Sequence, residues 1–521
     1  MHTPHERGIA LVLALMLMSV LSVLGASLMF LAQTETASSM NYRTMSQARY
    51  AAEAGVQKAT NFLLDPAQYT APTAADLLGP GCVRTTSPVT CGGQEVILSA
   101  STSKASNYPV LAVQTAYNAA SQGTLVSGNL SLTFGSYARL LALQVFDSYG
   151  GGTGITETWE VVAEGGVTGS PKATVQVLAL IETPKVPASS YGAFGTDTLC
   201  GALTFGGNVT VNSYDSSRLT GTTAPSVANG LTSSGGDVGT NGNLTINGSV
   251  DVGGQLYTPR TGIGACTNGA NGAIDGLTEG GSATVEGGMV KLPAAISYPT
   301  PATLAPSTMA AQNISNVGAT TCTDLLPAAQ VAQCSVNVGT NTITLTGGGI
   351  TLPSLSLSSN VHLVLTAGTP AAQYNVNSIS LTGQSTIGIS AASATQGAIL
   401  GIVGKDATGT AIATPVNLSG GSQTAVVGCA TCSNYDASLL QMVYAGTGEI
   451  KLTGDSNAVM TVYAPNSQVT LTGNGDLYGS ILAKRMDQTN GSTNIHYDRR
   501  LQHDFWVPGH PLVGTFTWQR Y

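Results

Sequence analysis

Charge is scarce in this chain, at 9% of 521 residues, and aromatic side chains are scarcer still at 6%. The net charge of −8, with no basic cluster beyond Lys484-Arg485 and Arg499-Arg500, lacks the cationic footprint that nucleic acid requires, so no nucleic-acid partner is expected. Acidic residues are too scattered to compose an obvious hydrolytic pair. The best candidates, Asp455 and Asp476, each fall just after a Leu-Thr-Gly segment and read as Asx turns, so no catalysis is indicated. His496, Asp498, His503 and Asp504 lie close together but lack the helical histidine pair of a zincin or the spacing of a zinc finger. They read as a hydrogen-bonded cap with Arg499 and Arg500, and neither a metal nor a cofactor is expected. The glycine run over 149–154 has no phosphate-loop lysine and reads as turns.

Low charge here does not mean disorder, which combines low hydrophobicity with high net charge; 42% of the residues are apolar. With 64 glycines and abundant Ser, Thr and Asn, the composition is that of a turn-dense, mainly β protein. The 8 cysteines all follow the first apolar segment. Spacing pairs Cys82 with Cys91, Cys322 with Cys334 and Cys429 with Cys432, leaving Cys200 with Cys266 as a longer bridge in an oxidising compartment, although other pairings stay open. Cys429-Ala430-Thr431-Cys432 has the CxxC form without a βαβ setting, which favours a structural disulfide over a redox pair.

What the chain does have is a long apolar run. Residues 9–32 carry no charge and would make roughly 36 Å of helix at ~1.5 Å per residue, enough to cross a bilayer core of ~30 Å. The run is longer than the core of a cleaved secretory signal. It also leads directly into Met45, Ala48, Ala52, Val56, Ala59 and Leu63, spaced at three and four, with Arg43, Gln47, Arg49, Glu53 and Lys58 between them. With no proline before Pro66, one helix over residues 9–65 is expected, lipid-soluble first and amphipathic after. His2, His5 and Arg7 against a single Glu6 keep the amino terminus cytoplasmic.

The leader ending in Arg7-Gly8, the run from Ile9 through Leu15, then Asn41-Tyr42-Arg43 and Ala51-Ala52-Glu53-Ala54-Gly55 resemble the amino terminus of type IV prepilins, in particular PilX-type minor pilins. The resemblance covers about the first 65 residues. It implies cleavage after Gly8 by prepilin peptidase, with methylation as part of processing and Ile9 as the mature terminus. It implies a single pass in the inner membrane and then an extracellular pilus, where the helix bearing Leu13 and Glu53 packs against other pilins. Most major pilins carry a glutamate at the position of Leu13, thought to pair with the terminal amine of the preceding subunit. PilX-type pilins and K-type pseudopilins resemble this chain in lacking it, and a subunit without that charge-assisted bond suits an initiating or tip position.

Strand-like runs follow at 95–100, 110–115, 130–134, 139–147, 157–164 and 173–182, the last two reading as an antiparallel hairpin around Gly165-Gly166. Residues 66–183 are expected to form a pilin-like head and 184–190, with Pro184 and Pro187, a stiff linker. From residue 191, short β-branched triplets ended by Gly or Asn-Gly recur, as in 203–211, 243–248, 282–287, 343–347, 379–383, 450–454 and 469–473. No such unit buries its apolar face alone, so 191–498 is expected to stack as a right-handed parallel β-helix or β-helix-like roll, with a two-sheet sandwich as the alternative. Residues 294–333 are expected to be loops or a capping excursion. Residues 462–498 are similar to a carboxy-terminal module of other prepilin-like surface proteins, and 499–521 are expected to cap the solenoid. The fold class expected is thus mainly β, a pilin-like helix and sheet followed by a parallel solenoid. The function expected is that of a minor pilin displaying the solenoid toward a surface, a cell or a glycan. The rivals are a surface-anchored β-helix carbohydrate-active enzyme and a tip pseudopilin of type II secretion.

Overall fold

A computed structural model describes residues 6–65, 68–69, 77–127, 130–147, 149, 153–168, 174–267, 274–419, 423–427, 432–454, 457–509 and 511–519. Two compact units divide the chain: Met1–Phe146 with Gly154–Lys185 and Pro508–Tyr521, and Asp147–Thr153 with Val186–Val507.

In the first unit a single helix, α1 (Glu6–Leu64), follows the expected course. Its carboxy-terminal part buries Ala48, Ala52, Val56, Ala59 and Leu63 of the apolar stripe read from the three-and-four spacing, with Met45 half-buried, and buries Ala51 and Phe62 besides. The sheet it packs on has the order Leu512–Gln519, Thr174–Glu182, Thr153–Thr168, Leu130–Asp147 and Ile97–Ser99, with Gln122–Ser127 also paired to the 130–147 strand. The expected hairpin is present, with Trp159 opposite Ile181 and Val161 opposite Ala179. Two expectations change. The runs at 130–134 and 139–147 are one continuous strand. Residues 110–115 do not form a strand but open α2 (Leu111–Ala120), in which Ala112, Gln114, Ala116, Ala119 and Ala120 are good helix formers and the buried Tyr117 stands edge-on to Phe62 at 5.3 Å.

The second unit is a parallel β-solenoid, which removes the sandwich alternative: every pairing in its 22-stranded sheet for which the register is known is parallel. The short repeats fall in register. Ile379, Val416, Ile450, Val469, Met486, Leu203, Leu244 and Leu277 form one continuous inward row, each paired with the next. Alternate residues such as Thr204, Thr245 and Thr278 point outward, as a period of two demands.

Spatial order departs from chain order. Down one face the strands run Ile350–Leu352, Ala372–Val376, Ala398–Ile402, Leu440–Tyr444, Ala458–Gly473, Leu477–Gly491, then Ala193–Gly195, Val238–Thr240, Leu256–Thr258 and Met289–Lys291. The chain therefore enters the stack at its middle and builds outward to Lys291. It then returns along the outside to the far end and builds inward until the last coil lies on the first. The returning segment, 292–311, has no strand of its own, so where its backbone meets the coils it is paired by side chains. Asn241 bonds Ile296 in both directions at 2.8 Å, Asn377 does the same for Ser307 at 2.8 Å, and the Tyr463 hydroxyl donates to the Pro299 carbonyl at 2.6 Å. Part of the expected excursion over 294–333 is this strap. The rest caps the far end, where Leu325 and Leu326 are buried within short helical turns beside the Cys322–Cys334 disulfide.

Within residues 184–190, expected as a stiff linker, Lys185–Pro187 pairs with Trp506–Pro508 in a two-stranded ribbon. The tail beyond residue 499, expected to cap the solenoid, divides instead between the two units. Through Val507 it stays with the second unit, and Leu512–Gln519 then joins the first unit's sheet beside Thr174–Glu182, where an antiparallel ladder satisfies its backbone.

Candidate filament-assembly helix

Residues 9–32 of α1 are apolar on every side and pack against none of the other described residues. Ile9, Leu13 and Phe30 expose 64%, 62% and 70% of their surface, and burial begins only at Thr44. Such a surface is unstable in water and stable in lipid or against other apolar helices, and the helix is long and apolar enough to cross a membrane. Its few hydroxyls are already satisfied on the helix itself. Ser19, Ser27 and Thr34 each donate at 2.8 Å to the carbonyls of Met16, Val23 and Phe30, as a hydrocarbon surrounding requires.

The second half is held by close approach of small residues. A Cβ on Gly165 would lie 2.0 Å from the Ala48 carbonyl oxygen and 2.4 Å from the Ala52 nitrogen, so the sheet admits α1 only because both sides are nearly bare. Gly55 likewise faces Ala163 and Phe134. The stretch Ala51-Ala52-Glu53-Ala54-Gly55 thus splits in use: Ala51, Ala52 and Gly55 dock the helix, while the Glu53 carboxylate takes a 2.8 Å ion pair from Arg49 one turn back. Gly8 and Ile9 lie in the first turns of α1.

The other residues singled out from the sequence form disulfides and local hydrogen-bonded or ionic pairs rather than one site. Cys82–Cys91, Cys200–Cys266 and Cys322–Cys334 are disulfides; Cys432 is buried and disulfide-bonded, while Cys429 lies outside the described residues. Asp455 also lies outside them. Asp476 accepts from the Asn494 amide at 2.9 Å and sits 3.5 Å from His496 Nε2, contacts that hold its carboxyl below the usual range against the opposing effect of burial. His496 in turn bonds Asn212 at 2.6 Å and stacks on Tyr478. Asp504 pairs with Arg500, which also reaches the buried Asp436 at 2.5 Å. Asp498 is fully buried, accepts from the Ser216 and Arg500 amides, and is pushed up to about 7 by burial and the neighbouring Asp436 charge.

A buried carboxyl in the first unit escaped sequence reading. Glu157 accepts from the Tyr69 hydroxyl at 3.0 Å and the Trp159 indole nitrogen at 3.1 Å, and burial raises it from 4.5 to about 7. The available signal was parity: Glu157 shares the inward face of its strand with Trp159 and Val161.

Residues 7–57 match the PilX N-terminal family. The protein is type IV pilin-like. The matched stretch spans both halves of α1, the exposed run and the docked stripe. Residues 382–504 of this pilin-like chain match a domain of unknown function, DUF7305, which covers the coils that build inward toward the first. No curated protein matches. Among solved structures, the competence-associated pilin ComZ from Thermus thermophilus aligns over 92% of this chain and 98% of its own at 14% identity, with a TM-score of 0.23 that carries no weight for fold or function.

Proposed function

We propose that this pilin-like protein is a minor subunit, at the tip or initiating position, of a type IV pilus or related pseudopilus, and that it displays its β-solenoid for adhesion. The observation that carries this reading is the division of α1, with residues 9–32 exposed and apolar, residues 33–43 exposed and mostly polar, and the later turns docked in a folded head. Prepilin peptidase removes the leader after Gly8. The helix waits in the inner membrane and leaves it by exchanging lipid for other pilin helices, a transfer between two apolar surroundings that costs little. Leu13 offers no carboxylate to a preceding terminal amine, which suits a subunit with no predecessor. The solenoid adds a body about 40 Å long at ~4.8 Å per coil, bulky for a repeating shaft. Its partners are other pilins through α1 and a surface, cell or glycan through the solenoid.

The test is the amino-terminal sequence of the protein recovered from cells with and without prepilin peptidase. A chain beginning at Ile9 only when the peptidase is present supports the reading. A chain beginning at Met1 in both, or cut near Ala32, overturns it.

A further inference from the structure

The sheet of the first unit is finished by its most distant strand. Leu512–Gln519 pairs along Thr174–Glu182, Leu512 opposite Glu182 and Gln519 opposite Gln176, with the whole solenoid between them in sequence. The two ends of the solenoid nevertheless lie side by side. The Ala188 amide donates to the Phe505 carbonyl at 2.9 Å, and the Gly509 amide to the Pro184 carbonyl at 2.7 Å. They meet because the last coil sits on the first: Ile481 pairs with Ala193, Met486 with Leu203 and Ile495 with Val211. A solenoid wound in simple chain order would put its ends at opposite extremes of the stack, about 40 Å apart at ~4.8 Å per coil. The residues between Pro508 and Leu512 would then reach only ~14 Å at ~3.5 Å each, short of that gap.

We infer that the solenoid is a folding clamp for the pilin-like head: its closure, last coil on first, holds the carboxy-terminal strand within reach of the sheet it completes. Chain closure grows less probable as about the 1.5 power of the span. Replacing a loose span of ~320 residues by a closed junction equivalent to about 6 favours docking of the strand on the order of several hundred-fold. The head sheet then becomes complete only in a chain whose solenoid has been made and folded, independently of where in a filament the subunit sits.

Hydrogen–deuterium exchange on the full chain in detergent tests this, read on amides of 174–182 and 512–519 and, for the solenoid, of 244–246. Leu244→Asp places a charge in the solenoid's inward row. Once that variant has lost protection at 244–246, strand 512–519 is expected to exchange at least a hundred-fold faster than in the unaltered chain. Replacing 189–504 by a Gly-Ser linker of about 6 residues is expected to keep the strand protected, because a short closure serves as well. Unchanged protection in the first variant, or lost protection in the second, overturns the inference. A urea series on the unaltered chain gives the same decision should Leu244→Asp not be recovered: loss of strand 512–519 together with the solenoid supports the clamp, and its persistence beyond the solenoid's transition refutes it.

Discussion

Val211, in the first coil of the solenoid, lies in parallel register with Ile495 in the last. Both are fully buried, and their pairing is the seam at which a chain begun in the middle of the stack closes on itself.

Shortening Ile495 to alanine at that seam removes buried methyl groups and leaves a cavity that a stacked coil is poorly able to fill. Ile495→Ala is expected to lower the solenoid's stability by about 2–5 kcal/mol. A urea unfolding curve of the full chain, followed by the exchange of solenoid amides, reads the shift. A change under about 1 kcal/mol would mean that the seam is not closed as described.

Gly165→Val tests the docking of α1. Its Cβ would meet backbone atoms of Ala48 and Ala52, which are not the flexible ends of side chains, so the helix must be displaced. The head is expected to lose several kcal/mol, at or above the ~1–3 kcal/mol of ordinary overpacking, and to become sensitive to protease after residue 64. Gly25→Val, in the exposed apolar half with open space around it, is the control and should leave the head's resistance unchanged.

Glu157 makes the head's stability depend on pH. Its carboxyl is raised from 4.5 to about 7 by burial, so the folded head binds this proton more tightly than the unfolded chain. The stabilising contribution is fully present below pH ~4.5, declines as pH rises, and is lost above about 7, a span on the order of 3 kcal/mol. Glu157→Gln keeps an acceptor for Tyr69 and Trp159 and should flatten this part of the profile. Thermal unfolding of the head at pH 4, 6 and 8 reads it, and an unchanged slope in the variant would assign the dependence to another group.

Much of this architecture is legible in the residues themselves. The charge-free run from Ile9 and the three-and-four spacing to Leu63 specify a helix and its two environments, since each periodicity reflects one surrounding. The Ile-Thr-Leu and Ile-Ser-Leu triplets, each followed by Thr-Gly, specify short strands with one inward face, too small to be stable alone. Other features were concealed by their own chemistry. Val110-Leu111-Ala112-Val113 looks like a strand because β-branched and apolar residues crowd it, and Tyr117 packing on Phe62 decides for a helix. Glu157 stands between two threonines, and only packing brings a phenol and an indole to its carboxylate.

The sequence by itself determined that there is a lipid-soluble helix, a docked stripe, and coils that must stack, because hydrophobic period is a local property. Only the tertiary structure decided that Ile495 would stack on Val211, that the chain would begin its solenoid in the middle, and that residues 512–519 would complete the head. Each parallel coil presents nearly the same apolar row to its neighbours, so no triplet names the coil it will meet. That choice rests on closure of the whole stack, where side-chain volume and the path of the strap act together.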